Sequence, residues 1–144
     1  MWLFNRLSDL FGPFKLDAAA TKENKLCQCF YDKDKDGLEM PWMNRTFCNP
    51  PFKHAGAWVK KAIFEMEARS IPSVLILPVG CSQAWFQSLI QYPNAVIFYP
   101  NKRISFLMPD GTPTHHADRD TVIVYINNRF NKNRFRILEV DQWR

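Results

Sequence analysis

Asn49, Pro50, Pro51 and Phe52 are the stretch of this 144-residue chain whose residue types and order suggest a reaction. Residues 46–48, just before them, are apolar or β-branched and read as a short buried strand. The two prolines fix φ and keep Asn49 and Pro50 out of the helical region. The strand therefore hands over to a stiff, extended loop with a carboxamide at its tip and an aromatic ring close behind. Such a loop is suited to methylating an exocyclic amine. The amino nitrogen of a base such as adenine is a poor nucleophile because its lone pair is delocalised into the ring. Two fixed acceptors, the Asn49 side-chain oxygen and the Pro50 carbonyl, can each take one N–H and aim the lone pair at a methyl donor. A base presented this way has left its stack, and the Phe52 ring offers it a surface. The alternative reading of the same residues is a structural Pro-Pro turn ending a strand.

The rest of the chain has to position that loop. Its length suits one domain, spanning residues 1–144, with a real core. A hydrophobic content of 47% with 15% aromatics argues for a folded globule. No apolar run approaches the roughly 20 residues of a membrane span, and Met1-Trp2-Leu3-Phe4 is too short for a signal peptide. Cys27, Cys29, Cys48 and Cys81 have no disulfide-framework spacing, which points to a reducing cytoplasm. A net charge of +5 and a pI near 9.1 favour a polyanionic partner.

Residues 2–11 have apolar positions at helical spacing and stop at Gly12-Pro13. Residues 14–20 read as a strand ending in Asp17 and the small residues Ala18, Ala19 and Ala20. Small residues allow a ligand close to the backbone, and an acid at a strand's carboxyl end can meet an ammonium or ribose hydroxyls; a surface Asp reads the same way. Residues 21–25 suggest an N-cap and a brief helix. Residues 32–37, Asp-Lys-Asp-Lys-Asp-Gly, imitate the first half of a calcium loop. The twelfth position, which needs an acid, is Met43, so calcium is not expected. Cys27 and Cys29 lack the second pair that zinc requires, and His115-His116 read as exposed loop residues. No metal site is expected.

Residues 55–69 form a helix with Trp58, Ala62, Ile63 and Met66 on one face and Lys60, Lys61, Glu65 and Glu67 outside it. Residues 74–78 are continuously apolar, as in an interior strand of a parallel sheet. Ser82 is expected to cap a helix through Gln91, and residues 95–99 form a further strand. Residues 103–107 and 121–125 pair as an antiparallel couple across a long loop. A basic tail from residue 127 carries Arg129, Lys132, Arg134 and Arg136. Together these elements give an α/β three-layer sandwich, mostly parallel with an antiparallel terminal strand pair.

From Trp2 to about Ile126 the chain resembles the phage DNA adenine-N6 methyltransferase (Dam-like) family. The resemblance rests on Trp2-Leu3-Phe4, Phe11-Gly12-x-Phe14-x-Leu16-Asp17-x-Ala19-Ala20-Thr21 and Glu23-Asn24. It continues through Asp36-Gly37-Leu38, Trp42, Arg45-x-x-x-Asn49-Pro50-Pro51-Phe52 and Trp58-x-x-Lys61-Ala62. It implies a compact class I, Rossmann-like methyltransferase fold, S-adenosylmethionine as donor and adenine in double-stranded DNA as acceptor. Leu16, Asp17, Ala18 and Ala19 would lie against the cofactor, with Asp36 as a second acid. Asn49, Pro50, Pro51 and Phe52 would meet the target base, and the loop at residues 78–85 would line the same cleft. Lys102, Arg103 and the tail cations would contact DNA phosphates, with residues 109–120 approaching the groove.

Family members usually carry an aromatic-rich segment ending in Thr-Pro before Trp-Leu-Phe, and this sequence starts within that match. Only about 30 residues separate Leu16 from Arg45, so few strand–helix units fit between the cofactor strand and the loop. A thinly walled pocket and weak cofactor binding are therefore expected. The same Asn-Pro-Pro-Phe also suits RNA adenine or a protein glutamine amide as acceptor, and a truncated nucleic-acid-binding remnant is the non-catalytic alternative.

Overall fold

The computed structural model describes residues 2–104 and 119–140. Three helices and six strands succeed one another: α1 (Trp2–Phe11), β1 (Leu16–Asp17), β2 (Thr46–Cys48), α2 (Ala55–Arg69), β3 (Ser73–Pro78), α3 (Ala84–Gln91), β4 (Ala95–Pro100), β5 (Thr121–Ile126) and β6 (Phe135–Leu138). The strands form one sheet in the order β1-β2-β3-β5-β4-β6. β1, β2 and β3 are parallel neighbours, β4 and β6 are parallel neighbours, and β5 runs antiparallel between β3 and β4.

Side-chain alternation along the strands sorts the core into two layers. Leu75 and Leu77 of β3 face α2 and α3, packing with Trp58, Ala62, Phe86 and Leu89. Val74 and Ile76 face the other way, onto Leu3 and Leu7 of α1 with Phe47 and Ile123. Helices thus cover both faces of the sheet, as the three-layer α/β expectation requires. β3 is buried along all six residues, consistent with its continuous apolar run.

The terminal strand pair is not as expected. All six residues of β5 pair with β3, and residues 123–126 also pair with β4, so no side of that stretch is open to residues 103–107. Arg103 and Ile104 are outside any strand, and residues 105–107 lie outside the described residues, as do most of the loop at 109–120 and His115-His116. The reason is in β5 itself, Thr-Val-Ile-Val-Tyr-Ile, which is apolar on both faces and so belongs inside a sheet.

The region read as a basic tail contains β6. Arg134, just before it, donates from Nε to the Ala95 carbonyl at 2.9 Å and from its terminal amino group to the carbonyls of Leu89 and Tyr92. Its guanidinium therefore caps the carboxyl end of α3 and is committed to the fold. Ser82 does not cap α3: Gln83 stands at the N-cap, without a side-chain cap bond. Residues 21–25 make a single turn instead of a helix, closed by Thr21 N–H on Asn24 Oδ1 (2.7 Å) and Asn24 N–H on Thr21 Oγ1 (3.2 Å).

Among the described residues no helix is long and apolar enough to cross a membrane.

Candidate active site

Because β1 and β2 are parallel neighbours, their carboxyl ends sit side by side. Open α/β sheets bind ligands at that edge. Here it holds a cleft of about 520 Å³, within the size range of small-molecule sites. Residues 18–21, leaving β1, form one wall and Asn49, Pro50 and Pro51, leaving β2, another. Tyr31, Asp32, Lys33, Asp36 and Gly37 close a third side, and Trp58 of α2 reaches in from below.

Of the expected site residues, the structure brings together Ala18, Ala19, Asp36, Asn49, Pro50 and Pro51. Asn49 is half-buried, and no hydrogen bond among the described residues engages its carboxamide. Pro51 is extended (φ −58°, ψ 123°) before a 3₁₀ turn at Phe52–His54, closed by His54 N–H on the Pro51 carbonyl at 3.0 Å. The amide is thus held at the cleft by a stiff backbone and remains available to a ligand.

Phe52 is a correction. Its side chain is 6% exposed and packs in the α1-facing core with Leu3, Leu7 and Phe47. The 3₁₀ turn sends the ring beneath the sheet, so it is an anchor for the loop and presents no open face for stacking a base.

Asp17 is another. Ala18 faces the cleft, and neighbouring residues of an extended strand point to opposite faces. Asp17 is 3% exposed and absent from the cleft wall. Its Oδ2 accepts the Leu26 N–H at 3.0 Å, while Oδ1 has no partner. Burial pushes its pKa above 3.8, opposed by backbone N–H groups. Between 3.8 and the folded-state value, the folded chain holds a proton that the unfolded chain has lost. Stability contributed by Asp17 therefore falls as pH rises through that window. In Asp17→Asn this loss should vanish, so the urea midpoint should decline less from about pH 4 to neutrality than in the wild type. Parallel midpoint–pH curves for the two proteins would overturn this account.

Asp36 does reach the cleft. It has a left-handed backbone (φ 56°), and its Oδ1 accepts the Leu38 N–H at 3.0 Å. In the same loop, Asp32 Oδ1 accepts the N–H groups of Asp34 and Lys35, each at 3.1 Å. Two of the three carboxylates of this calcium-like stretch, Asp32 and Asp36, thus serve as local turn acceptors. Among the described residues no group of three or more His, Cys, Asp or Glu side chains is placed to hold a metal.

The loop wall is braced from α2. Trp42 is 1% exposed and donates its indole N–H to the Gly37 carbonyl at 2.7 Å. The Trp42 backbone N–H reaches Glu65 Oε1 (3.3 Å), and Arg69 returns to the Trp42 carbonyl (3.1 Å). Tyr31 adds a bond from its hydroxyl to the Pro41 carbonyl at 2.6 Å. Glu65, expected on the outer face of the helix, is instead buried between Lys61 and Arg69, both at 2.7 Å. Gly37 is required here: a Cβ on it would lie 2.1 Å from the Ala18 carbonyl and 3.0 Å from the Trp58 ring.

The loop at residues 78–85 leaves the same edge of the sheet but does not line this cleft. Trp85 instead packs on Gly56 in a separate groove between α2 and α3. Lys102 and Arg103 follow β4 outside the cleft wall; Arg103 pairs with Asp120 at 3.2 Å, both side chains largely exposed. Tyr31 and Lys33 belong to the cleft without any signal in the sequence. Asn24, Gly37 and Trp58 fall within the motif residues that carry the family resemblance.

Comparison with known proteins bears on the same residues. A family model described as DNA N-6-adenine-methyltransferase (Dam) matches residues 1–143. The chain is similar to a DNA N-6-adenine-methyltransferase of Escherichia phage T1, 36% identical over 94 residues, which are 64% of this chain and 39% of that protein. It is also similar to the DNA N-6-adenine-methyltransferase of Haemophilus phage HP1 (strain HP1c1), 27% identical over 126 residues, 85% of this chain and 73% of that protein. The chain thus spans about two fifths of the first relative and about three quarters of the second. With nearly every residue inside the matched range, the chain belongs to the DNA N-6-adenine-methyltransferase (Dam) family.

Proposed function

We propose that this chain is a DNA adenine-N6 methyltransferase that takes its methyl group from S-adenosylmethionine and acts on double-stranded DNA, in the cytoplasm of a bacterial host. The observation that carries the reading is the meeting, in one cleft, of Asn49, Pro50 and Pro51 with the small residues 18–20 from the adjacent strand end. We take the α/β sheet to be a compact form of the class I, Rossmann-like methyltransferase fold.

The donor set of the cleft fits the cofactor. Ala18, Ala19 and Ala20 let a ligand approach the backbone, Tyr31 and Trp58 offer apolar surface, and Asn24, Asp32 and Asp36 offer acceptors for hydroxyl and ammonium groups. When bound, the cofactor supplies a methyl group activated by a sulfonium. The chain's own task is to prepare the amine. The Asn49 side-chain oxygen and the Pro50 carbonyl accept the two N–H bonds and concentrate the lone pair on nitrogen. The stiff Pro-Pro backbone fixes the Pro50 carbonyl and the Asn49 Cα, so that only the Asn49 side-chain torsions remain to be ordered by the amine.

The test is transfer of labelled methyl from S-adenosylmethionine to duplex DNA, followed by digestion to nucleosides. Label in N6-methyldeoxyadenosine is the expected result. Label only in RNA or protein supplied in parallel would redirect the acceptor, and no cofactor binding by calorimetry would overturn the reading.

A further inference from the structure

A second groove, of about 520 Å³, lies on the free edge of the sheet beside β1. Phe30 makes an isolated parallel bridge to Asp17, and Tyr31 N–H bonds the Asp17 carbonyl at 2.9 Å, so this segment is tied in extended form along the outer side of β1. Alternation along it turns Tyr31 into the catalytic cleft and Phe30 the other way, into the second groove. Phe14, Lys15, Gln28, Cys29 and Lys35 complete that groove, and no carboxylate lines it. The Lys25 and Lys35 ammonium groups stand 4.8 Å and 5.8 Å from the centre of the Phe30 ring. Among the described residues, Lys15, Lys25 and Lys35 have no acidic partner, whereas Lys61, Arg69 and Arg103 are ion-paired.

The loop at residues 32–37 connects the two sites. Its charges alternate in sequence, yet Asp32 and Asp36 turn a carboxylate oxygen back onto backbone N–H groups. Lys33 is exposed at the catalytic cleft and Lys35 at the second groove. The loop therefore places one cation at each site, with the exposed Asp34 between them.

We infer that Lys35, Lys25 and Lys15, arranged about the Phe30 ring, bind the phosphate backbone of the DNA strand flanking the target nucleotide. This rests on the proposed action on DNA and adds the surface that holds it. Ammonium groups without acidic partners match a run of phosphates, and the half-buried Phe30 ring among them offers its accessible part to an unstacked neighbouring base.

The experiment measures binding of a fluorescent duplex containing adenine across a salt series, for the full chain and for the triple variant Lys15→Ala/Lys25→Ala/Lys35→Ala. Each cation removed from a phosphate should make the slope of log K against log salt shallower by about 0.9, so the triple variant's slope should fall by ~3. Its affinity for S-adenosylmethionine should be unchanged. Phe30→Ala should weaken binding without changing the slope. A triple variant with the wild-type slope overturns the inference while leaving methyl transfer by the wild type intact. A wild type that neither binds nor methylates DNA overturns the functional reading together with it.

Discussion

Asn49→Ala should lower methyl transfer by roughly 10²–10³, the effect of removing one preorganised hydrogen-bonding group at a reacting centre. Stability should hardly change, because Asn49 is half-buried and its carboxamide is engaged by nothing else among the described residues. Asn49→Asp separates the acceptor's role from its shape: the carboxylate still accepts the amine N–H, so this variant should retain more activity than the alanine. Single-turnover rates at saturating DNA and cofactor, read beside thermal midpoints, give the comparison. A normal rate in Asn49→Ala would remove this residue from the chemistry and favour the plain structural turn.

Glu65→Ala should produce the largest loss of stability, about 3 kcal/mol, the lower end of what breaking a buried ion pair costs. Two pairs break, but Arg69 is 42% exposed and recovers water, so most of the cost falls on Lys61, whose side chain is only 10% exposed. The Trp42 N–H also loses its acceptor. Glu65→Gln keeps a side-chain oxygen for Trp42 and should fall between wild type and alanine. Urea unfolding would measure both. A shift below about 1 kcal/mol for Glu65→Ala would place the pair among exposed ion pairs of little worth. Because Trp42 braces Gly37, the same variant should also loosen the cleft wall.

Local chemistry was legible in the sequence; tertiary choices were not. The bounds of α2 follow from the Pro-Pro turn before it and from Ile71-Pro72 after it; the structure adds Ser70 as a left-handed C-cap. The meeting of Asn49 with Ala18 and Ala19 follows from two strands ending in loop residues. The orientation of Asp17 was knowable in principle, since Ala18 and Asp17 cannot both face one cleft. Glu65 was misread because a carboxylate in a helix pattern counts as solvent-facing unless its partners are known, and Trp42 lies 23 residues away in sequence. Phe52 depended on which way a 3₁₀ turn rotates its first side chain. The position of β5 was a non-local decision, although its double-sided apolar pattern matched that of β3.

That position of β5 has a consequence for how the chain is made. Synthesis delivers β3 and β4 before the strand that joins them, and the two are not paired with each other. A nascent chain ending at Asp120 therefore carries the β1-β2-β3 half-sheet and an unpaired β4, each with an uncovered apolar border, because β6 is also still to be made. Pairing β5 with β3 joins residues about 50 positions apart, an entropic delay that helix formation does not face. Until Thr121 and the residues after it arrive, both borders are open to strands of other chains. The sheet thus closes only once β5 has been made, which makes this strand the keystone of assembly and the interval before it the one of greatest exposure to aggregation.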